Sequence, residues 1–484
     1  MTQHSDITIA WFRQDLRLAD NPALNAAAVR GTVVPVYIWA PEEEAPWSPG
    51  AASRWWLHHS LDSLRREFEA KGLRLVIRQG PSLDTLRALA KETGASAVFW
   101  NRRYEPAVIK RDKDIRAKLQ KDGLETASFN GALLLEPHRI ATKEGNPYQV
   151  FTPFYKAALA GKEPETPLGV PKNLRGPEAW PKSVALDNLE LLPQIDWAGG
   201  LRETWSPGTA GAQAELDRFL ENALADYPTL RDRPAVIGTS RMSPYLHHGE
   251  LSPRQVLQAV EEFSAAEPSA GKGAETYIRQ LYWREFGHHL LYHFPHTPDQ
   301  ALREKFRDFP WAKDKAALKA WQQGHTGYPL IDAGMRELWH TGWMHNRVRM
   351  NVASFLVKHL LLPWQEGARW FWDTLVDADL ANNTLGWQWA AGCGADAAPY
   401  FRIFNPILQS KKFDPGGNYL RQYVTEISGF SGSHIHAPWE APQQAFAGAG
   451  ITPGKDYPEP IVGHKTARER ALAAFEQVKG QQGH

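Results

Sequence analysis

Cysteine is almost absent from this 484-residue chain: Cys393 stands alone, which excludes an intrachain disulfide and an iron–sulfur cluster held by several thiolates. Net charge is nearly absent too, with 55 Lys and Arg against 54 Asp and Glu. A broadly basic protein of the histone kind is thereby excluded, and a nucleic-acid partner would have to meet a local basic face. No apolar run has the length of a membrane span, and no charged, apolar, small-residue leader opens the chain. We therefore expect a cytoplasmic protein with no membrane partner. HExxH spacing, a P-loop and a Ser/His/Asp elbow are all missing. The histidine pairs at 58–59, 247–248 and 288–289, and His434 with His436, have no cysteine ligand beside them, so no metal site is expected.

What is present is an ordinary globular composition, 43% apolar and 23% charged, with length enough for two or three domains. Tryptophan is the exception. Most of its 20 residues must fill core, yet so many leave room for some with a stacking or electronic role.

Over residues 1–135 strand and helix signals alternate. ITIAWF (7–12), TVVPVYIW (32–39), LRLVIRQG (73–80) and SAVFWN (96–101) have the length and β-branched content of buried strands. Between them, Leu61, Leu64 and Phe68 share a helical face before Gly72, and Ser82 is placed to cap a helix carrying Leu83, Leu86 and Leu89. This alternation predicts an α/β domain built on a doubly wound parallel sheet. The first strand runs into RQDLRLAD with no glycine-rich loop, so a dinucleotide pyrophosphate is not expected there. Residues 136–205 are rich in proline and read as a connector, and 206–484 are predominantly helical, which predicts an all-α C-terminal domain. Within it Leu216, Phe219, Leu220 and Leu224 share a face, and Ser252-Pro253 forms a cap and first turn. The glycine-rich GAGITPG (448–454) follows no strand signal and reads as a surface loop.

Four stretches carry chemistry. GTSRMSPYLHHGELSP (238–253) clusters Thr239, Ser240 and Ser243 at a turn into a helix, which suits a phosphate or ordinary capping. YIRQLYWREF (277–286) and GWMHNRVRM (342–350) interleave rings with cations, as a stacking platform or a core helix with snorkelling arginines would. DADLANNTLGWQW (377–389) packs carboxylates, neutral amides and indoles into thirteen positions. Asp377 and Asp379 fit a glycosidase pair, but the amides and indoles favour a flat polar heterocycle.

Together with WFRQDLRLADNPAL, TGYPLIDAGMREL, KKFDP and the run from Asp377 to Pro406, these stretches resemble the photolyase/cryptochrome family over nearly the whole length. The closest likeness is to bacterial cyclobutane pyrimidine dimer photolyases of the plant-cryptochrome-like subgroup. The resemblance implies a helical domain holding FAD in a folded, U-shaped form. It gives the FAD phosphates to Thr239, Ser240, Arg241, Met242 and Ser243, with Tyr227 nearby. Arg284, Asn346, Arg349, Asp377 and Asp379 match positions around the flavin and its ribityl–adenine part, and Asn383 the residue facing flavin N5. Trp387, Trp364 and Trp311 match the family's electron-carrying tryptophans.

By the same resemblance the substrate is a cyclobutane dimer in ultraviolet-damaged DNA, split by an electron lent from excited reduced flavin and returned. Trp283 and Trp389 match the indoles that flank the flipped-out lesion, Gln280 the residue at its base edge, and Arg347 and Arg231 sit where DNA phosphates or the dimer are held. Lys411 and Lys412 extend that face. Asn346 and Met350 stand where enzymes for the (6-4) photoproduct carry histidines, which speaks against that substrate. Many relatives carry glutamate where Gln280 stands; glutamine keeps an acceptor but places no charge at the base edge, so retuned repair is expected. An antenna pigment is implied in the α/β domain, with NRRYEP (101–106) and SPGAASRWW (48–56) as candidate walls and 5,10-methenyltetrahydrofolate as its identity. The competing reading is a cryptochrome photoreceptor; Asn383, where plant-type receptors carry aspartate, and the short tail favour the enzyme. A monomer is expected.

Overall fold

The computed structural model describes residues 6–161, 163–452 and 454–480. Its sheet has five parallel strands, β1 (Ile7–Phe12), β2 (Thr32–Trp39), β3 (Val76–Gln79), β4 (Ala97–Asn101) and β5 (Glu125–Phe129), in the order β3-β2-β1-β4-β5. The winding reverses at β1, the doubly wound pattern. β1 and β2 match their sequence bounds residue for residue. β5 was not foreseen: ETASF lies at the sheet edge, half-exposed, and has no apolar run to announce it.

Alternation along β1 explains both faces of the sheet. Ala10 and Phe12 pack with Leu24, Leu61, Leu64 and Phe68, whereas Ile9 and Trp11 pack with Leu86, Leu89, Ile115 and Leu119. The first set belongs to α1 (Pro22–Arg30) and α2 (Ala51–Glu69), the second to α3 (Ser82–Thr93) and α4 (Pro106–Lys121). Ser82 is not the cap of α3. It is the first residue inside the helix, and its N–H and hydroxyl donate to the Glu43 carboxylate at 2.8 and 2.6 Å. A carboxylate brought in from another segment satisfies that helix end better than a local hydroxyl, because it also meets the positive end of the dipole.

The stretch 136–205 contains a helix that its prolines concealed, α5 (Phe151–Ala160), whose Phe151 and Phe154 are buried in the helical half. The same stretch ends in the short α6 (Gly199–Thr204), and the chain beyond it is helical: α7 (Thr209–Asn222), α8 (Tyr227–Leu230), α9 (Ser243–His248), α10 (Pro253–Ala266) and the long α11 (Gly271–His293). After it come α12 (Lys315–Gln323), α13 (Pro329–Thr341), α14 (Asn346–Ser354), α15 (Trp364–Thr374), α16 (Leu380–Ala391), α17 (Pro406–Phe413), α18 (Asn418–Tyr423), α19 (Gln443–Ala449) and α20 (His464–Gly480). Ser252 caps α10 in a complete capping box with Gln255, ahead of Pro253. All five strands of the described residues lie before residue 130, and no described helix is long and apolar enough to cross a membrane.

α11 and α15 both pack on α16. Gly367 makes the second contact close: a Cβ there would sit 2.0 Å from the Trp387 ring, so only glycine lets that indole lie against α15. The two halves of the molecule are pinned by buried polar bonds. Arg254 of α10 makes a two-pronged pair with Asp20 at 2.9 and 3.0 Å, and Glu250 accepts from Ser60, from Gly208 N–H and from the Trp56 indole.

Candidate functional site

α11 provides one wall. Gln280, Arg284 and His288 are spaced four apart, so they share one helical face. At its outer end Gln280 accepts from Arg231 Nη2 at 3.1 Å, uniting two residues expected at the lesion. Trp283 stacks on Phe151 with ring centroids 3.8 Å apart and planes 8° from parallel. One of its faces is therefore covered by the helix in the connector, a neighbour that sequence reasoning missed. Trp389, half-buried, lies 6.5 Å from the Phe404 ring.

α14 provides the second wall. Arg349 pairs with both oxygens of Asp377 at 2.8 and 3.1 Å and donates from Nε to Met344 O. Arg347 pairs with Asp232 at 2.7 and 3.0 Å and lies over the Phe413 ring, which Lys412 also approaches. Asn346 is exposed, and its amide is 3.8 Å from the Met350 sulfur. The helix starts at His345, whose Nδ1 accepts from Arg347 N–H. Nε2 must then carry the proton of a neutral ring; burial holds this histidine at about 4.

The third wall is α16. Asp379 caps it, Oδ1 accepting from Asn382 N–H at 2.8 Å and from the Asn382 amide at 2.6 Å. Its other oxygen faces His288 Nε2 at 3.4 Å and His247 Nδ1 at 4.0 Å. Burial opposes the charge on Asp379, yet the two histidines hold its pKa well below the usual carboxylate range. One turn on, Asn383 donates to Ala368 O at 3.0 Å, keeping Oδ1 and one amide hydrogen. A further turn brings Trp387, whose ring neighbours are Phe371 at 5.0 Å and Trp321 at 6.1 Å. Trp364, Gly367, Ala368 and Phe371 share the face of α15 that meets Asn383 and Trp387, so buried Trp364 lies along the same seam. Trp311, half-buried, packs on Phe309 with centroids 4.4 Å apart.

Thr239 and Ser240, then Ser243 at the head of α9, form the hydroxyl cluster. Met242 is buried beneath it, and Tyr227 is buried against Phe219 and Tyr277. Arg241 adopts a left-handed backbone, φ 52°, rare and costly for a residue with a Cβ. Its guanidinium lies over Trp205 and Trp343, 4.2 and 5.6 Å from their centroids. Its buried Nε has no hydrogen-bond partner, and no carboxylate of the described residues reaches salt-bridge distance. A roofed cation without a counter-ion, beside three hydroxyls, fits the diphosphate of a dinucleotide. Trp343, also unassigned from the sequence, ties this cluster to α14: its indole N–H donates to Ser243 Oγ at 3.4 Å, and Arg349 lies over its face. The WMHNR run contained the signal, but one indole among 20 did not stand out. No group of three or more His, Cys, Asp and Glu suited to a metal occurs among the described residues.

A model of the FAD-binding domain of DNA photolyase matches residues 277–477, and a DNA photolyase model matches 8–172. The chain is 50% identical to the deoxyribodipyrimidine photo-lyase of Agrobacterium fabrum, over 97% of its own length and 98% of the relative's. It is 41% identical to cryptochrome-2 of Arabidopsis thaliana, over 98% of this chain and 79% of that protein. Its fold overlays the crystal structure of a bacterial class III photolyase from Agrobacterium tumefaciens with a TM-score of 0.95 at 49% identity, covering 99% of each chain.

Proposed function

The chain belongs to the DNA photolyase family, and on that premise we propose that it is a deoxyribodipyrimidine photo-lyase, which uses light to split cyclobutane pyrimidine dimers in ultraviolet-damaged DNA. The observation that carries the reading is the line of groups along α11 and α16. Base-edge donors at Gln280 and Arg231 lie at one end, and Arg284, Asp379 and Asn383 lead inward from them. When bound, FAD supplies the electron that opens the cyclobutane ring and takes it back.

The chain's own residues position both partners. Arg241 and the hydroxyls of Thr239, Ser240 and Ser243 hold the diphosphate; Arg284, Asn346 and the Arg349–Asp377 pair orient the rest of the cofactor. Asn383 keeps a neutral acceptor and a donor for flavin N5, so it tolerates either protonation state there. Trp387, Trp364 and Trp311 relay electrons inward to oxidised flavin. Trp283 and Trp389 flank the extruded dimer, Gln280 meets its base edge, and Arg347, Lys411 and Lys412 meet backbone phosphates.

For the antenna, a recess of about 460 Å³ is walled by Trp47, Trp372, Arg103 and Glu105. Its indole walls and charged rim support 5,10-methenyltetrahydrofolate as the pigment, and Trp372→Ala should remove that pigment's absorption from the purified protein. A larger recess, about 580 Å³, lies across Arg103 among Arg13, Tyr37 and His247.

The deciding test mixes anaerobically reduced protein with an oligonucleotide carrying one thymine dimer. Absorbance near the thymine band is followed under near-ultraviolet or blue light. Recovery in light but not in darkness, and not with a (6-4) oligonucleotide, is expected. Absence of recovery with normal flavin photoreduction would replace the enzyme with the photoreceptor reading, to which the plant cryptochrome similarity lends weight.

A further inference from the structure

His288 is the one member of the shared α11 face to which no role has been given. It is buried, and both ring nitrogens face acceptors: Nδ1 lies 3.1 Å from the Arg284 carbonyl oxygen, and Nε2 lies 3.4 Å from Asp379 Oδ2. A carbonyl and a carboxylate accept only. Both contacts are satisfied together when both nitrogens carry protons, which makes the ring an imidazolium. Asp379 for its part commits Oδ1 to the cap of α16, leaving Oδ2 for His288.

We propose that His288 is a positioning residue, held as an imidazolium, that locks Asp379 at the head of α16 and so makes FAD retention depend on the proton of a nitrogen 3.4 Å from that carboxylate. The inference rests on the reading that FAD sits against Asp379.

The surroundings agree. Burial lowers the affinity of His288 for its proton, but Asp379 more than offsets this, and its pKa lies above the ordinary histidine value. Arg284 opposes the charge and Glu285 supports it, both from α11. Tyr104 approaches from the sheet half with its ring centroid 6.3 Å away, Glu105 acts on Asp379 from the same side, and His247 shares the carboxylate from α9. A raised histidine pKa means that the pair is complete at low pH and is lost as pH rises through the raised value.

The test uses holoprotein carrying isotope-labelled imidazoles, with the His288 signal assigned by its absence in His288→Gln. Magnetic resonance at pH 7 should show both nitrogens protonated; a neutral ring there overturns the proposal, whatever the cofactor does. FAD release is then followed by fluorescence from pH 6 to 9 in the native protein, His288→Gln, His288→Lys and Asp379→Asn. Release from His288→Gln should be at least about tenfold faster at pH 7, the equivalent of one pKa unit. It should not vary with pH, whereas the native protein should approach it as pH rises and His288→Lys should retain FAD throughout. If Asp379→Asn hastens release and His288→Gln does not, the proposal fails and the site reading stands. If neither does, the reading that places FAD at Asp379 falls, and the proposal falls with it.

Discussion

Individual arginines of the two halves are used in opposite ways. In the sheet half, the Nη groups of buried Arg17 and Arg103 are held by the chain itself. Arg17 donates to three carbonyls, those of Gly249, Asp20 and Gly131, and Arg103 is clasped by Glu44 and Glu105. In the helical half, Arg241 is roofed by indoles with no carboxylate of the described residues at salt-bridge distance, and Arg231 has a neutral amide for partner. Arg17 and Arg103 hold the fold together, whereas Arg241, roofed by rings but facing no carboxylate, marks a place that a ligand's charge would complete. Asn346, Asn383 and Ser243 follow the same pattern, each keeping hydrogen-bonding capacity that the protein does not use.

The sharpest test of the helical half concerns electrons. Trp387→Phe should abolish photoreduction of oxidised flavin, followed by absorption spectroscopy, while dimer repair by chemically reduced enzyme persists. Loss of both would make Trp387 a packing residue, as its fit against Gly367 alone would allow.

Next in size is a paired substitution across the two halves. Asp20→Asn leaves buried Arg254 with only the exposed Glu165 carboxylate at 3.7 Å and should cost about 3 kcal/mol in denaturant unfolding, with FAD bound or not. Asp377→Asn leaves Arg349, which is less buried, and should cost roughly 1–3 kcal/mol, with most of the loss visible only while FAD is bound. Equal behaviour of the two variants would break the contrast between structural and ligand-completed charges.

The site half should also carry acid sensitivity at His345. Its folded value of about 4 lies below the ordinary 6.5, so its stabilisation is complete above 6.5 and is lost as pH falls towards 4. His345→Asn, which caps α14 without titrating, should flatten that part of the stability–pH curve, by up to roughly 3 kcal/mol.

Smallest are the changes at the outer rim. Gln280→Glu faces Arg231 with a carboxylate and should improve discrimination of dimer-containing from undamaged DNA by about tenfold in a binding titration. Unchanged affinity and quantum yield would remove Gln280 from the substrate contacts. Arg347→Ala should weaken binding to all DNA alike and reduce the slope of log affinity against log salt by about 1.

Much of this was legible beforehand. β1 and β2 could be read to the residue because strands buried on both faces need continuous apolar runs, and the cap at Ser252 because its bonds are local. The site motifs were legible as a family resemblance, with Asn383, Asp379 and Arg349 each in a recognisable run. β5 and α5 were not, because a half-exposed edge strand and a short helix among prolines carry little pattern of their own.

By itself, then, the sequence determined which residue types are available and where the local periods run: a parallel sheet first, helices after, and clustered hydroxyls, amides and indoles in the second half. Only the tertiary structure decided their partners. Trp283 on Phe151, Arg347 on Asp232, Glu43 at the head of α3 and His288 on Asp379 join segments 39 to 132 residues apart. Hydrogen bonds and ion pairs act over a few ångströms, and no local pattern encodes which distant group will be brought within that range.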